Sequence, residues 1–120
     1  MKFHVGKYYI HKLFMNRGVQ YYEILVCLEL VNNGALLYEC CTFKTTKNIV
    51  KSDILECKFL LEQIFSNNLN LDYLIFRNNK TSFMYKLSPV QFDFNIKSWY
   101  LKYKLLNGKD DINGIIKRQY

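Results

Sequence analysis

The sequence predicts an α+β fold in which one main helix packs on an antiparallel sheet of about five or six strands. Residues 20–31 alternate apolar side chains at the period of a strand, residues 53–66 repeat them at the period of a helix, and further segments with strand period follow. With 120 residues, 50% of them hydrophobic, the chain can bury one core but is short for two ordinary domains. We therefore expect one compact domain, residues 1–120.

The segment QYYEILVCLELV, residues 20–31, gives the strongest strand signal, because every even position from Tyr22 to Leu30 is apolar. Asn32-Asn33-Gly34 follows as a turn, in which the glycine can take positive φ. If all three residues form the loop, the register places Leu30 opposite Leu36, Leu28 opposite Tyr38 and Val26 opposite Cys40.

Residues 53–66 change to a helical period, and Asp53 followed by Glu56 resembles a capping box. We expect the apolar side of this helix to pack on the sheet. Leu55 and Phe59 project from its other side. Either a loop or terminus covers them, or they form a patch for a partner or for a second copy of the chain.

Residues 71–77 and 80–87 are predicted to form a hairpin closed by Asn78-Asn79. After Pro89, apolar residues at even positions predict a strand over 90–96. Residues 110–120 form either a short helix or a frayed end.

The segment KSWYLKYKLLNGK, residues 97–109, is also predicted as a strand. Its inward side would carry Trp99, Leu101, Tyr103 and Leu105, and its wet side would carry Tyr100, Lys102 and Lys104. The buried positions change from even to odd numbers between residues 96 and 99, so we expect a bulge or turn at Lys97-Ser98.

The net charge of +7 is concentrated at the two ends of the chain. If these ends converge, they form one positive face that attracts phosphates or an acidic protein. Most of the basic residues are lysines, which favours recognition of charge or shape over base sequence. An AT-rich coding sequence also produces many lysines whatever the function. The candidate binding residues are Lys97, Tyr100, Lys102, Lys104 and Lys109, with Lys7, Lys12 and Arg17.

The sequence contains no motif that fixes a reaction, a cofactor or a metal site. Cys27, Cys40, Cys41 and Cys57 lack zinc-site spacing, and we expect reduced, mostly buried thiols. In strands, the adjacent Cys40 and Cys41 would point to opposite sides. The apolar runs are too short to span a membrane, and the N-terminus lacks an export signal. We therefore expect a cytoplasmic protein of the host cell, without a membrane partner.

The leading functional expectation is a small intracellular protein without catalytic activity that binds its target stoichiometrically. Its target would be RNA, DNA, a nucleoprotein or an acidic protein that handles nucleic acid. Its length and AT-rich composition suit a virus or mobile element, and an anti-CRISPR-like inhibitor is one concrete version.

Two alternatives remain open. The first is a small metal-independent ribonuclease-like toxin, in which acid, base and cation roles are available to His4, His11, Lys12, Arg17 and the tyrosines. The second is a structural module that forms a homodimer through Leu55 and Phe59 or through an open sheet edge.

Overall fold

The structure, a computed structural model, describes residues 2–46, 69–80, 84–86 and 93–118; residues 84–86 and 107–118 are described by their backbone. A short 3₁₀ helix, Leu71–Tyr73, precedes the fourth strand. The strands and the helix are β1 (Tyr8–Asn16), β2 (Val19–Val31), β3 (Gly34–Thr45), β4 (Leu74–Asn78), β5 (Met84–Lys86) and α1 (Phe94–Arg118).

The strands form an antiparallel sheet in the order β4-β3-β2-β1, and the three-residue β5 pairs with the outer edge of β1. The α+β class, with an antiparallel sheet and a helix, is thereby confirmed. The number of strands, about five or six, stays a prediction. The helix predicted over 53–66, with Leu55 and Phe59, lies outside the described residues.

The central strand β2 is buried on both faces, because every residue from Tyr22 to Leu28 is buried. Its even positions belong to the cluster that packs against α1, and Leu25 and Cys27 belong to a second cluster on the opposite face. Phe3 covers part of that second cluster and stacks edge-on against Tyr9. The alternation that predicted β2 therefore marks two buried faces.

Helix α1 begins at Phe94, so the strand predicted over 97–109 is wrong. The strand predicted over 90–96 is also wrong for residues 94–96, which belong to the helix. Asp93 caps this helix, because its carboxylate accepts a hydrogen bond of 2.9 Å from the Asn95 N–H. The backbone passes through Lys97-Ser98 as regular helix, without the predicted bulge.

The buried face of α1 has helical spacing. Ile96 and Tyr100 lie in the core, and Trp99 and Tyr103 stack beside them. The leucines whose alternation suggested a strand are exposed to solvent on the helix. Leu105 is 87% exposed. The alternation that predicted a strand thus depended on leucines that face solvent and do not belong to the core.

The predicted hairpin of residues 71–77 and 80–87 is also wrong, because its two strands lie on opposite edges of the sheet. Strand β4 pairs with β3, whereas β5 pairs with β1. At the end of β4, the Asn79 N–H donates a hydrogen bond of 2.9 Å to the Asn33 carbonyl. This bond ties the chain to the β2–β3 turn in place of a tight β4–β5 turn.

The β2–β3 turn is shorter than predicted. Only Asn32 and Asn33 form it, and Val31 pairs with Gly34. Asn33, with φ +67°, takes the left-handed conformation expected of the glycine. The predicted register, with Leu30 opposite Leu36, Leu28 opposite Tyr38 and Val26 opposite Cys40, is therefore wrong. A register shift between Cys27 and Glu29 completes the difference, so that Val26 pairs with Tyr38.

Gly34 is required for the close approach of β4. A Cβ at this position would overlap the Arg77 carbonyl oxygen and lie 2.6 and 2.7 Å from two ring carbons of Phe76. We therefore expect Gly34→Ala to lower the free energy of unfolding by about 1 to 3 kcal/mol, as overpacking does. Urea denaturation measures this loss, and an unchanged midpoint would contradict the close packing. Gly18 is a poor control because its own φ is positive.

Adjacent Cys40 and Cys41 both pack against the α1-side cluster, contrary to the expectation of opposite sides. The register shift explains this, because Ile24 pairs with Cys41 and Leu25 pairs with Glu39, which leaves Cys40 as an extra residue. Cys27, Cys40 and Cys41 are free thiols. Burial raises the pKa of Cys27 to about 12, so this thiol is protonated at neutral pH.

The sheet is strongly coiled, as one long-range contact demonstrates. Arg77 pairs with Ala35, whereas Glu23 pairs with Thr42 further along β3. Along a flat sheet the backbones at these two levels would be about 23 Å apart, more than an arginine and a glutamate side chain can span together, yet Arg77 Nη2 lies 3.0 Å from Glu23 Oε1. Bulges increase local twist, and twist of this kind accounts for the contact between the Arg77 and Glu23 side chains.

Candidate functional site

A cluster of four titratable side chains occupies the face of the sheet opposite α1. We call it the Glu23 cluster; it consists of Glu23, His11, Glu39 and Arg77. His11 is the cross-strand neighbour of Glu23, and its Nδ1 lies 2.7 Å from Glu23 Oε1. Arg77 Nη2 lies 3.0 Å from the same oxygen. The Glu23 side chain is 3% exposed, against 17% for His11 and 27% for Arg77.

The two carboxyl groups of this cluster have opposite pKa shifts. Burial alone would raise the pKa of Glu23, but hydrogen bonds from His11 and Glu39 and the Arg77 charge outweigh it and lower this pKa. Burial, the hydrogen bond to Glu23 and the charge of Glu23 raise the pKa of Glu39 to about 7. The pair therefore holds one carboxylate and one carboxyl that keeps its proton until the pH approaches about 7.

This pair predicts a pH dependence of stability. The folded state binds the Glu39 proton more tightly than the unfolded chain, whose ordinary value is 4.5. The stability that Glu39 contributes is therefore complete below about 4.5 and lost as the pH rises to about 7. Glu23 acts in the opposite direction, but only below its own ordinary value of 4.5. Among the described residues, His11 and Arg77 are the charged or titratable groups in contact with Glu23 besides Glu39.

Glu39→Gln should remove this dependence, because an amide donates to Glu23 at every pH. We expect the variant to match the parent chain near pH 5 and to exceed its stability near pH 8. Urea midpoints at the two pH values measure the difference. A difference that is the same at both would contradict the shared proton.

An exposed aromatic pair lies beside the Glu23 cluster. We call Phe14 and Tyr21 the aromatic platform; their rings stack with centroids 4.6 Å apart. Phe14 is 57% exposed. It lies in a bulge of β1, and buried Gln20 holds this bulge by donating a 2.8 Å hydrogen bond to the Phe14 carbonyl. Tyr21 precedes Glu23 by two residues on β2 and therefore lies on the same face.

Two basic residues lie beside the aromatic platform. Exposed Lys44 is the cross-strand neighbour of Tyr21, and opposed residues share a face. Exposed Arg17 lies in the β1–β2 turn, where Arg17 and Gly18 both have positive φ. An exposed aromatic surface between cations is suited to stacking bases and holding phosphates.

The predicted binding residues of α1 are divided between core and solvent. Tyr100 is 4% exposed and donates a hydrogen bond to Glu29, so it cannot stack on a base. Lys104 pairs with Glu29 at 2.7 Å. Lys97 and Lys102 are exposed. Lys109 lies within α1.

The predicted residues of the N-terminal segment also separate. Lys7 is exposed and precedes β1 at the end where α1 begins, since the Tyr8 hydroxyl accepts from the Asp93 N–H. Arg17 lies beyond the other end of β1. Lys12 lies between them on the strand, partly buried. Because β1 extends about 3.3 Å per residue, Arg17 is remote from the start of α1 and close to the aromatic platform. Exposed His4 lies outside the Glu23 cluster.

The outer face of α1 is a second exposed surface, in which apolar side chains alternate with lysines. Phe94 is 75% exposed and Leu101 49% exposed. Lys97 and Lys102 flank this apolar stripe on either side, as their helical spacing requires. The sequence pattern had placed Leu101 in the core.

Sequence reasoning missed most of the Glu23 cluster and the aromatic platform. Glu23 offered one signal, as an acidic residue within an otherwise apolar run. Arg77 offered none, because its contact with Glu23 depends on the coil of the sheet. Phe14 is brought over Tyr21 by a bulge in β1, which the residue pattern does not indicate.

Comparisons with protein-family models, curated proteins and solved structures found no match to this chain. Within the described ranges, no helix has the length and apolar character needed to cross a membrane. The same ranges hold no group of three metal-ligating side chains. The cytoplasmic location stays a prediction.

Proposed function

We propose that this chain is a small binding protein whose partner is a single-stranded nucleic acid. The aromatic platform, with Arg17 and Lys44 beside it, is the proposed contact surface. The observation that carries the proposal is the 57% exposure of Phe14 in a stacked pair. Stacking is available to every base, and lysine holds phosphate as a point charge, so sequence preference should be weak.

The aromatic platform replaces the basic surface around Tyr100 and Lys104 that the sequence indicated, because Tyr100 is buried and Lys104 is paired with Glu29. Arg17 is common to both. The charge of the chain supports the proposal, since a net charge of +7 favours long-range attraction of a polyanion.

A second candidate is a protein partner that handles nucleic acid. The outer face of α1 favours it, because an apolar stripe between Lys97 and Lys102 fits a groove with an apolar floor and acidic rims. The same variants test both candidates.

Phe14→Ala should weaken binding of a fluorescent oligodeoxythymidine by roughly 5- to 100-fold, the equivalent of one stacked base. Lys44→Glu should also weaken binding and reduce the salt dependence by about one phosphate contact. Fluorescence anisotropy measures both. The matched controls on α1 are Leu105→Ala, which removes another exposed apolar side chain, and Lys102→Glu, which reverses another exposed lysine.

Both controls should bind as the parent chain does. The proposal fails if Phe14→Ala and Lys44→Glu bind normally. Loss of binding in the α1 variants alone would assign the contact to the outer face of the helix. Circular dichroism checks folding, which surface changes should alter by less than about 0.5 kcal/mol.

A further inference from the structure

The Glu23 cluster has the arrangement of an acid–base site. A buried carboxylate, Glu23, holds two partly exposed groups, His11 and Arg77, through one oxygen atom. Glu39 is also partly buried and forms a hydrogen bond with Glu23. No buried polar side-chain atom in the described residues lacks a hydrogen-bond partner. His11 and Arg77, which could react, are more exposed than Glu23, the buried group that orients them.

The contact to Glu23 fixes the orientation of the His11 ring. When Nδ1 carries the proton and donates it to Glu23 Oε1 across 2.7 Å, the other ring nitrogen, Nε2, is left as an acceptor. A base that a third group orients in this way is a recurring device in nucleophilic activation. Glu23 also stabilises the imidazolium that forms when Nε2 takes a proton.

The cluster adjoins the aromatic platform. Tyr21 and Glu23 lie two residues apart on the same face of β2, which corresponds to about 7 Å. A base stacked on the open face of Phe14 would therefore place an adjoining phosphate on the side of the Glu23 cluster, where His11 and Arg77 are partly exposed. The positive charge of Arg77 suits the extra negative charge of a pentacoordinate phosphorus.

We infer that RNA bound at the aromatic platform is cleaved at the Glu23 cluster by transfer of the phosphoryl group to its own 2′-oxygen. His11 Nε2 takes the proton of the 2′-hydroxyl, and the 2′-oxygen forms a bond to the adjacent phosphorus. The bond from phosphorus to the 5′-oxygen breaks, and Glu39 gives that oxygen the proton that it otherwise shares with Glu23. The products are a 2′,3′-cyclic phosphate and a 5′-hydroxyl end.

This inference rests on the proposed function, because the RNA must first bind. It changes the roles that the sequence suggested for a ribonuclease: His11 remains, and Glu39 and Arg77 replace His4, Lys12 and Arg17. Glu23 is a positioning residue. The protonated Glu39 carboxyl, with its pKa raised to about 7, can donate a proton near neutral pH.

The test uses a fluorescent oligodeoxythymidine that contains a single uridine ribonucleotide, with the all-deoxy oligomer as its control. The parent chain should cleave after the uridine with many turnovers, and mass spectrometry should find the cyclic phosphate. His11→Ala should reduce the rate by about 10²- to 10⁴-fold, with binding of the all-deoxy oligomer retained as the folding control. Glu39→Gln should reduce the rate and remove the fall in rate above about pH 7.

Glu23→Gln should lower kcat and leave KM unchanged, which a merely structural role would not do. Binding of the all-deoxy oligomer without cleavage of the uridine substrate would overturn the inference and leave the proposed function in place. Failure to bind either oligomer would refute the proposed function. Cleavage that persists in folded His11→Ala at the parent rate would also overturn the inference.

Discussion

Tyr100→Ala is expected to lower the free energy of unfolding by about 3 to 5 kcal/mol, as deletions of buried aromatic side chains do. Tyr100 is 4% exposed and belongs to the core cluster between α1 and the sheet. Its hydroxyl also donates to Glu29 on β2. The substitution therefore leaves a cavity and removes a hydrogen bond that holds the helix to the sheet. Urea denaturation followed by circular dichroism measures the loss.

Two further variants complete this test. The first separates the contribution of the Tyr100 ring from that of its hydroxyl, and the second distinguishes a helix from a strand in this segment. Tyr100→Phe keeps the ring and should cost only about 1.5 to 3 kcal/mol, the value of a hydrogen bond to a charged acceptor. Leu105→Ala should change stability by less than about 0.5 kcal/mol, because Leu105 is 87% exposed. A strand with Leu105 inside would reverse the order, and a costly Leu105→Ala would contradict the position of α1.

Arg77→Met is expected to cost about 3 kcal/mol, because it leaves the Glu23 carboxylate buried with one cation fewer. Arg77 is 27% exposed, so the loss should fall at the lower end of the range for broken buried pairs. The pKa of Glu23, which the Arg77 charge helps to lower, should rise in the variant. Denaturation at neutral pH measures the stability, and ¹³C-detected titration of the carboxyl measures the pKa.

The control for this prediction is the same substitution in a Glu23→Gln background. Without the buried charge, Arg77→Met should cost much less, and the difference between the two backgrounds is the coupling energy of the pair. Equal losses in both backgrounds would mean that the contact across the coiled sheet contributes nothing beyond packing.

Local patterns predicted the strands more successfully than their partners. The alternation over residues 20–31 corresponds to β2, and the strand expected over 71–77 overlaps β4. Neither pattern indicates that β4 adds to β3 and β5 to the far edge of β1. Strand pairing depends on hydrogen-bonding edges and bulges, which no residue period encodes.

Helix α1 was mistaken for a strand because two criteria conflicted. Alternation of Trp99, Leu101 and Tyr103 indicated a strand, but Lys and Leu are good helix formers and Asp93 is a good N-cap. The capping and propensity signals favoured the correct structure. The alternation was misleading because it counted Leu101 and Leu105 as buried, whereas both are exposed, as leucines on a protein surface often are.

The candidate site could be predicted only in part. His11 and Arg17 were identified from residue type; His11 belongs to the Glu23 cluster, and Arg17 lies in the β1–β2 turn beside the aromatic platform. Arg77 and Glu39 were not, because a coiled sheet and a bulge bring them to Glu23. Residues that meet through tertiary structure carry no shared spacing in the sequence, so their assembly required the fold.

The most direct test of the proposed contact surface is a ¹H–¹⁵N NMR titration of the full chain with a 2′-O-methylated oligouridine, which binds as RNA but cannot be cleaved by its own 2′-oxygen. The account predicts that amide shifts move in residues 11–23, around residues 39–44 and at Arg77, and that residues 94–106 of α1 keep their shifts. Changes confined to α1, or no changes at oligomer concentrations well above that of the protein, would contradict it.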